Sequence, residues 1–141
     1  MKLNVSRAVV WAAGIEDRPG GLAEKLEALA KAGTNLDFIL ARRAGESPGQ
    51  GVVFVAPLKG GAQVRAATNA GFLKTEILHA LRVEGANQPG VGGTMALAMA
   101  DAGINLRGFS ATASGKRFLA YLAFDNAAQA TKATRAFKRL S

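Results

Sequence analysis

The chain has 141 residues, 49% of them hydrophobic, a net charge of +8, one histidine and no cysteine. That apolar share can fill a core, and the length suits one ordinary domain or two small ones. Disulfides and thiolate metal sites are excluded; with no 18-residue apolar run and no signal-like N-terminus, a cytoplasmic protein without membrane spans is expected.

In chain order, Arg7–Ile15 is an apolar run with β-branched residues and Trp11, which reads as one buried strand. Asp17-Arg18-Pro19-Gly20 is a turn, because Pro-Gly ends an extended segment. Gly21–Ala32 reads as a helix with Leu22, Leu26, Leu29 and Ala30 on one face and Glu24, Lys25, Glu27 and Lys31 outside. Asn35–Arg43 and Gly51–Leu58 read as strands joined by a loose hairpin loop, and Ala62–Ala70 as a short helix. Leu73–Glu84 reads as extended. After the turn Asn87-Gln88-Pro89-Gly90, a helix is expected over Gly90–Ala102, then a hairpin of Ile104–Ala113 and Lys116–Phe124 turning at Ser114-Gly115. A last helix, capped by Asp125 or Asn126, runs to about Leu140.

The chain repeats itself at a spacing of 70. Between residues 17–39 and 87–109, eight of 23 positions are identical without a gap: Pro19/Pro89, Gly20/Gly90, Ala28/Ala98, Ala30/Ala100, Ala32/Ala102, Gly33/Gly103, Asn35/Asn105 and Leu36/Leu106. The matches are turn residues and the helix-closing Ala-Gly-x-Asn-Leu, with Gly33 and Gly103 where a left-handed C-cap is wanted. One supersecondary unit is therefore used twice. The order is βαββα in each half, an α+β arrangement of two ferredoxin-like (βαββαβ-type) modules with antiparallel sheets and helices on one face. Module 1 is expected over 1–70, closed by a strand from about 71–77, and module 2 over 71–141. Only Ser141 follows the last helix, so by symmetry the strand closing module 2 is expected from about 2–7.

Asn87-Gln88-Pro89-Gly90-Val91 with Ala102-Gly103-Ile104-Asn105-Leu106 resembles the turn-and-helix consensus of the ACT-domain family, small regulatory modules. Asp17-Arg18-Pro19-Gly20 with Ala32-Gly33-Thr34-Asn35-Leu36 is similar to a common variant of it. The resemblance covers nearly the whole chain as two tandem modules. It implies pairing of modules and frequent binding of a free amino acid at a module interface. The chain departs from the pattern at Gly92-Gly93 and at Gly21, which stands where Val91 stands in the other copy.

A ligand-binding role is accordingly expected for Asp17, Gly20, Gly21 and Leu22 and for Asn87, Gly90, Val91, Gly92 and Gly93. Helix N-termini present unpaired amides and a partial positive charge suited to a carboxylate. Asn87 would accept from the ligand's ammonium group. Against this stands the plainer reading that these residues only make turns. The Val91–Ala102 helix is nearly apolar all round, so a covering surface is expected on more than one side, from a homodimer or a tight intramolecular module pair.

Two other classes of function find less support in the residues. Arg117–Phe124 partly follows the aromatic strand of RNA-recognition modules, but its alternation suits a strand buried on both faces, and nucleic-acid binding is not expected. The cations of Lys132, Arg135, Lys138 and Arg139 read as a solvated helix face. No nucleophile, acid–base pair, metal cluster or nucleotide fingerprint is present, so no catalytic residue, metal or cofactor is expected and the chain reads as a binding module, or as a ligand-free interaction module of the same fold.

Overall fold

The computed structural model describes residues 1–75 and 79–141. They form two compact units, one of Val9–Thr75 and one that joins Met1–Ala8 to the C-terminal half. We call them the central and the terminal unit by their place in the sequence.

The central unit contains β2 (Trp11–Glu16), α1 (Gly21–Ala30), β3 (Phe38–Arg43), β4 (Gln50–Ala56), α2 (Gly60–Asn69) and β5 (Leu73–Lys74), following β1 (Leu3–Ala8) in the chain. Its antiparallel sheet has the order β3-β4-β2-β5. Alternation along β4 sends Val53 and Val55 into a core shared with Ala13, Leu29, Ala67 and Phe72. Both helices therefore lie on that one face. β5 is short, pairing only Leu73 with Ala12 and Lys74 with Trp11, after which the Thr75 amide donates to the Val10 carbonyl.

The terminal unit contains β1, β6 (His79–Ala86), α3 (Val91–Asp101), β7 (Gly108–Ser114), β8 (Arg117–Phe124) and α4 (Ala127–Leu140). Its sheet has the order β1-β6-β8-β7. β1 lies antiparallel to β6 from Leu3 opposite Gly85 to Ala8 opposite Ala80. Leu81, Val83, Phe118, Leu122 and Phe124 meet Val91, Met95 and Met99 of α3 and Ala130, Ala133 and Phe137 of α4. With Phe118 and Phe124 in the core and Tyr121 buried, β8 offers no exposed aromatic to a base. On the sheet, Glu84 accepts from Arg82 at 2.9 Å and from Arg117 at 2.8 Å. The Arg117 hydrogen bond first, then that of Arg82, holds the Glu84 carboxyl below its ordinary value.

The expected single strand over 7–15 is a correction. The chain leaves one sheet at Ala8 and enters the other at Trp11, with Val9-Val10 as the crossing. An apolar run shows no seam because strands of both sheets ask for the same residues. The expected extended segment 73–84 divides into β5 and β6, and residues 76–78 of it lie outside those described. The residues after both repeat glycines, 34–37 and 104–107, are not strand until Phe38 and Gly108.

Of the two expected caps for α4, Asn126 is the one used: its side chain accepts from the Gln129 amide at 2.9 Å. Asp125 instead pairs with Arg107 at 3.2 Å. Asn126→Ala is expected to destabilise the terminal unit by about 1 kcal/mol, read as a shift in its denaturation midpoint at constant slope. Among the described residues no helix is long and apolar enough to cross a membrane.

Candidate functional site

The two turns picked out by the repeat have the same backbone. Gly20 and Gly90 precede α1 and α3 with φ of 88° and 79°, a left-handed conformation open to glycine at little cost. Each turn closes alike, with the Gly21 amide donating to the Arg18 carbonyl at 3.0 Å and the Val91 amide to the Gln88 carbonyl at 3.2 Å. The first true helical bonds are Glu24 to Gly20 and Thr94 to Gly90. Neither helix has a side-chain cap. The amides left facing out of α3 are therefore those of Gly92 and Gly93, while that of Val91, expected to be available too, is spent inside the turn.

The side chains around the turns differ. At α3, the Asn87 amide donates to the Lys116 carbonyl at 2.8 Å, and its side-chain Nδ2 donates to the Gly115 carbonyl at 3.3 Å. The β7–β8 hairpin thus orients the carboxamide and leaves Oδ1 to accept. Val91 is buried and anchors the helix start in the core. Around Gly92 and Gly93 the space is open: a Cβ built on either meets nothing within 4 Å. α3 has no acidic residue in its first turn.

At α1, Asp17 is not waiting for a ligand. Its carboxylate takes the Arg43 guanidinium at 2.9 Å, and its backbone amide donates to the Gly49 carbonyl. Arg18 spans the turn, binding the Glu16 carboxylate with Nε, Glu24 with Nη2 at 2.7 Å and the Pro19 carbonyl with Nη1. The hydrogen bonds to Glu24 and then Glu16 raise the Arg18 pKa, and the Arg18 hydrogen bond holds the Glu16 carboxyl below its ordinary value. Gly21 is buried and Leu22 half-buried against the central core. A Cβ on Gly21 would overlap the Glu16 carbonyl oxygen. Gly21 is thus a packing requirement set by the end of β2. The Arg18 ion pairs escaped the sequence reading, although Glu16 and Arg18, two apart at a strand end, lie on one side and Glu24 follows in the first helical turn.

Away from the core of the terminal unit, α3 presents an apolar strip beside the exposed Thr94 and Asp101. Val91, Met95 and Met99 are buried, whereas Ala96 and Ala100 are exposed and Leu97 is 61% exposed.

No family model matches the chain, and no curated protein matches it. Solved structures do. A protein of Bacteroides thetaiotaomicron superposes with a TM-score of 0.79 at 17% identity, over 96% of this chain and 89% of that one. The regulatory subunit of aspartate kinase from Thermus thermophilus, in its ligand-free form, superposes with a TM-score of 0.63 at 21% identity over 97% of both chains. The corresponding subunit from Thermus flavus gives 0.62 at 22% identity, over 98% of this chain and 94% of that one. The protein therefore has the two-module α+β fold of aspartate kinase regulatory subunits, and the ACT-type resemblance of its turns sits on a matching fold.

Proposed function

We propose that the protein is a regulatory module, without catalytic activity of its own, that binds a small amino acid or related metabolite at the turn opening α3. The supporting observation is the state of that turn. It has two unengaged glycine amides at a helix N-terminus, open space over them, and a carboxamide oxygen oriented beside them. The ligand carboxylate would lie on the amides of Gly92 and Gly93, where donors and helix dipole act together. Asn87 Oδ1 would accept from the ammonium group. The fold shared with regulatory subunits supports the same reading.

The test is a thermal-shift screen with the common amino acids, followed by calorimetric titration of any hit. A ligand at about 100 times its Kd should add about 2.7 kcal/mol of stability. A hydrogen bond to a charged group is worth about 1.5–3 kcal/mol, so Asn87→Ala should weaken binding roughly 10- to 100-fold. Gly92→Val should weaken it at least as much, by filling the space the ligand needs. A ligand whose affinity ignores both changes would place the site elsewhere.

The exposed apolar strip of α3 favours a second, compatible role in self-association, since a large apolar side chain set among small ones suits helix-to-helix contact. Sedimentation should show a dimer, and Leu97→Glu should shift it to monomer while leaving the fold intact. A wild-type monomer at high micromolar concentration would reject that role.

A further inference from the structure

In sequence, the four cations of α4 look like an ordinary solvated helix face. The structure adds what stands around them. Lys132, Arg135, Lys138 and Arg139 are all exposed, while Ala130, Ala133, Ala136 and Phe137 turn the other side of α4 into the core. Between Ala127 and Leu140 the helix has no acidic residue. Leu3 and Val5 of β1 meet that same core, so Arg7, on their face of the strand, stands on the α4 side of the sheet. The Leu3 amide donates to Ser141 Oγ at 3.0 Å, which sets Lys2 beside the C-terminal end of α4. Residues from both ends of the chain are thereby gathered into one basic surface.

The carboxylates of the terminal unit do not answer this charge. Its described residues include ten Lys or Arg against three Asp or Glu, whereas the central unit has eight against six. Glu84 is held by Arg82 and Arg117, and Asp125 by Arg107. Asp101, at the end of α3, is the third. Among the described residues no carboxylate pairs with Lys132, Arg135, Lys138 or Arg139.

We infer that this surface binds the phosphate backbone of a nucleic-acid duplex, without reading its bases. An acidic protein and an anionic bilayer would also meet the charge, but each asks for more. The core of a protein interface is built on apolar and aromatic anchors and is poor in lysine, and between the cations α4 exposes only small residues such as Ala128 and Thr131. A helix lying in a bilayer surface buries its apolar face there, and the apolar face of α4 is spent in the core. A phosphate backbone asks mainly for spaced cations. Lys132, Arg135 and Arg139 follow i, i+3, i+7 and make a row about 10 Å long. A duplex carries one charge per about 1.7 Å of axis, so such a row meets several phosphates. Phe118 and Tyr121 of β8 are buried and leave no platform for an unpaired base, which favours a duplex over a single strand.

The test is fluorescence anisotropy of the whole protein with duplexes of about 16 base pairs, two unrelated DNA sequences and one RNA. The two DNA sequences should bind alike. With roughly four to six phosphates engaged, log K should fall against log salt with a slope of about −4 to −5, a loss of roughly 10²–10³-fold between about 50 and 200 mM. K132Q/R135Q/K138Q/R139Q keeps good helix formers; it should weaken binding at least about 10-fold at low salt and flatten the slope to about −2. K31Q/R42Q/K59Q/R65Q removes the same charge from exposed positions of the central unit. It should change affinity less than about threefold, because screening confines each charge's field to about 10 Å. Amide shifts of the wild-type protein on adding duplex should gather at 131–140 and 2–8, a readout that holds even if the α4 variant misfolds. A response to DNA alone or to RNA alone would still support the inference and would name the nucleic acid. Equal loss in both variants would overturn it, since net charge and not this surface would then be responsible. So would absence of duplex binding at about 50 mM salt, shifts confined to other residues, or equally tight binding to poly-glutamate or to phosphatidylserine vesicles.

Discussion

Removing residues 1–8 should unfold the terminal unit under conditions that leave the central unit intact. β1 supplies one of the four strands of the terminal sheet and lies beside β6 along six residue pairs. Leu3 is buried in the terminal core and Val5 packs against it. Gly85 is shaped for this strand, since a Cβ there would stand 2.9 Å from Leu3 Cδ2. The C-terminus is tied down as well, with the Leu3 amide donating to Ser141 Oγ at 3.0 Å. Burial of Leu3 and part of Val5 is worth about 2–4 kcal/mol, and β6 would become a bare edge and a template for aggregation. A unit of this size has a total stability of only about 5–15 kcal/mol. Hydrogen exchange should show protection lost across 79–86 and 117–137 but kept across 11–16 and 51–56. Equal loss in both units, or none, would refute this account.

The turn–helix–cap segment was legible twice over, because a left-handed cap and a Pro-Gly turn admit few residues and the repeat reports both. What escaped the sequence were features decided by pairing partners. Val9-Val10 is a change of sheet inside an unbroken apolar run, and nothing in hydrophobicity alone marks it. At the turns, Asp17 looked like the counterpart of Asn87, yet its partner is Arg43, 26 residues away. Long-range ion pairs leave no periodicity to read. α3 was expected to be covered on more than one side, because Thr94 and Asp101 are its only polar side chains; in the structure Ala96, Leu97 and Ala100 stand exposed.

Exchanging the residues at the two helix starts should damage both units, for opposite reasons. Read against Val91, Gly21 looks like a lost apolar contact, and Gly21→Val should then stabilise the central unit. The structure requires the reverse. A Cβ at Gly21 would overlap the Glu16 carbonyl oxygen, a backbone atom that already accepts from the Arg18 amide at 2.9 Å. It cannot swing aside as a flexible side chain would, so β2 or α1 must move. Overpacking of this kind costs about 1–3 kcal/mol and occasionally more, and a backbone clash belongs at the upper end. The converse change, Val91→Gly, removes a side chain that is 5% exposed in the terminal core. It should cost about 1.5–3 kcal/mol in burial, with up to about 1 kcal/mol more for glycine in a helix. For units of this size, 1 kcal/mol shifts Tm by roughly 4–8 °C, so both variants should melt well below the wild type. Hydrogen exchange should assign the loss to residues 11–56 in Gly21→Val and to 79–137 in Val91→Gly. A Gly21→Val protein as stable as the wild type would mean that the end of β2 yields freely, and that the α1 turn is held less tightly than its hydrogen bonds imply.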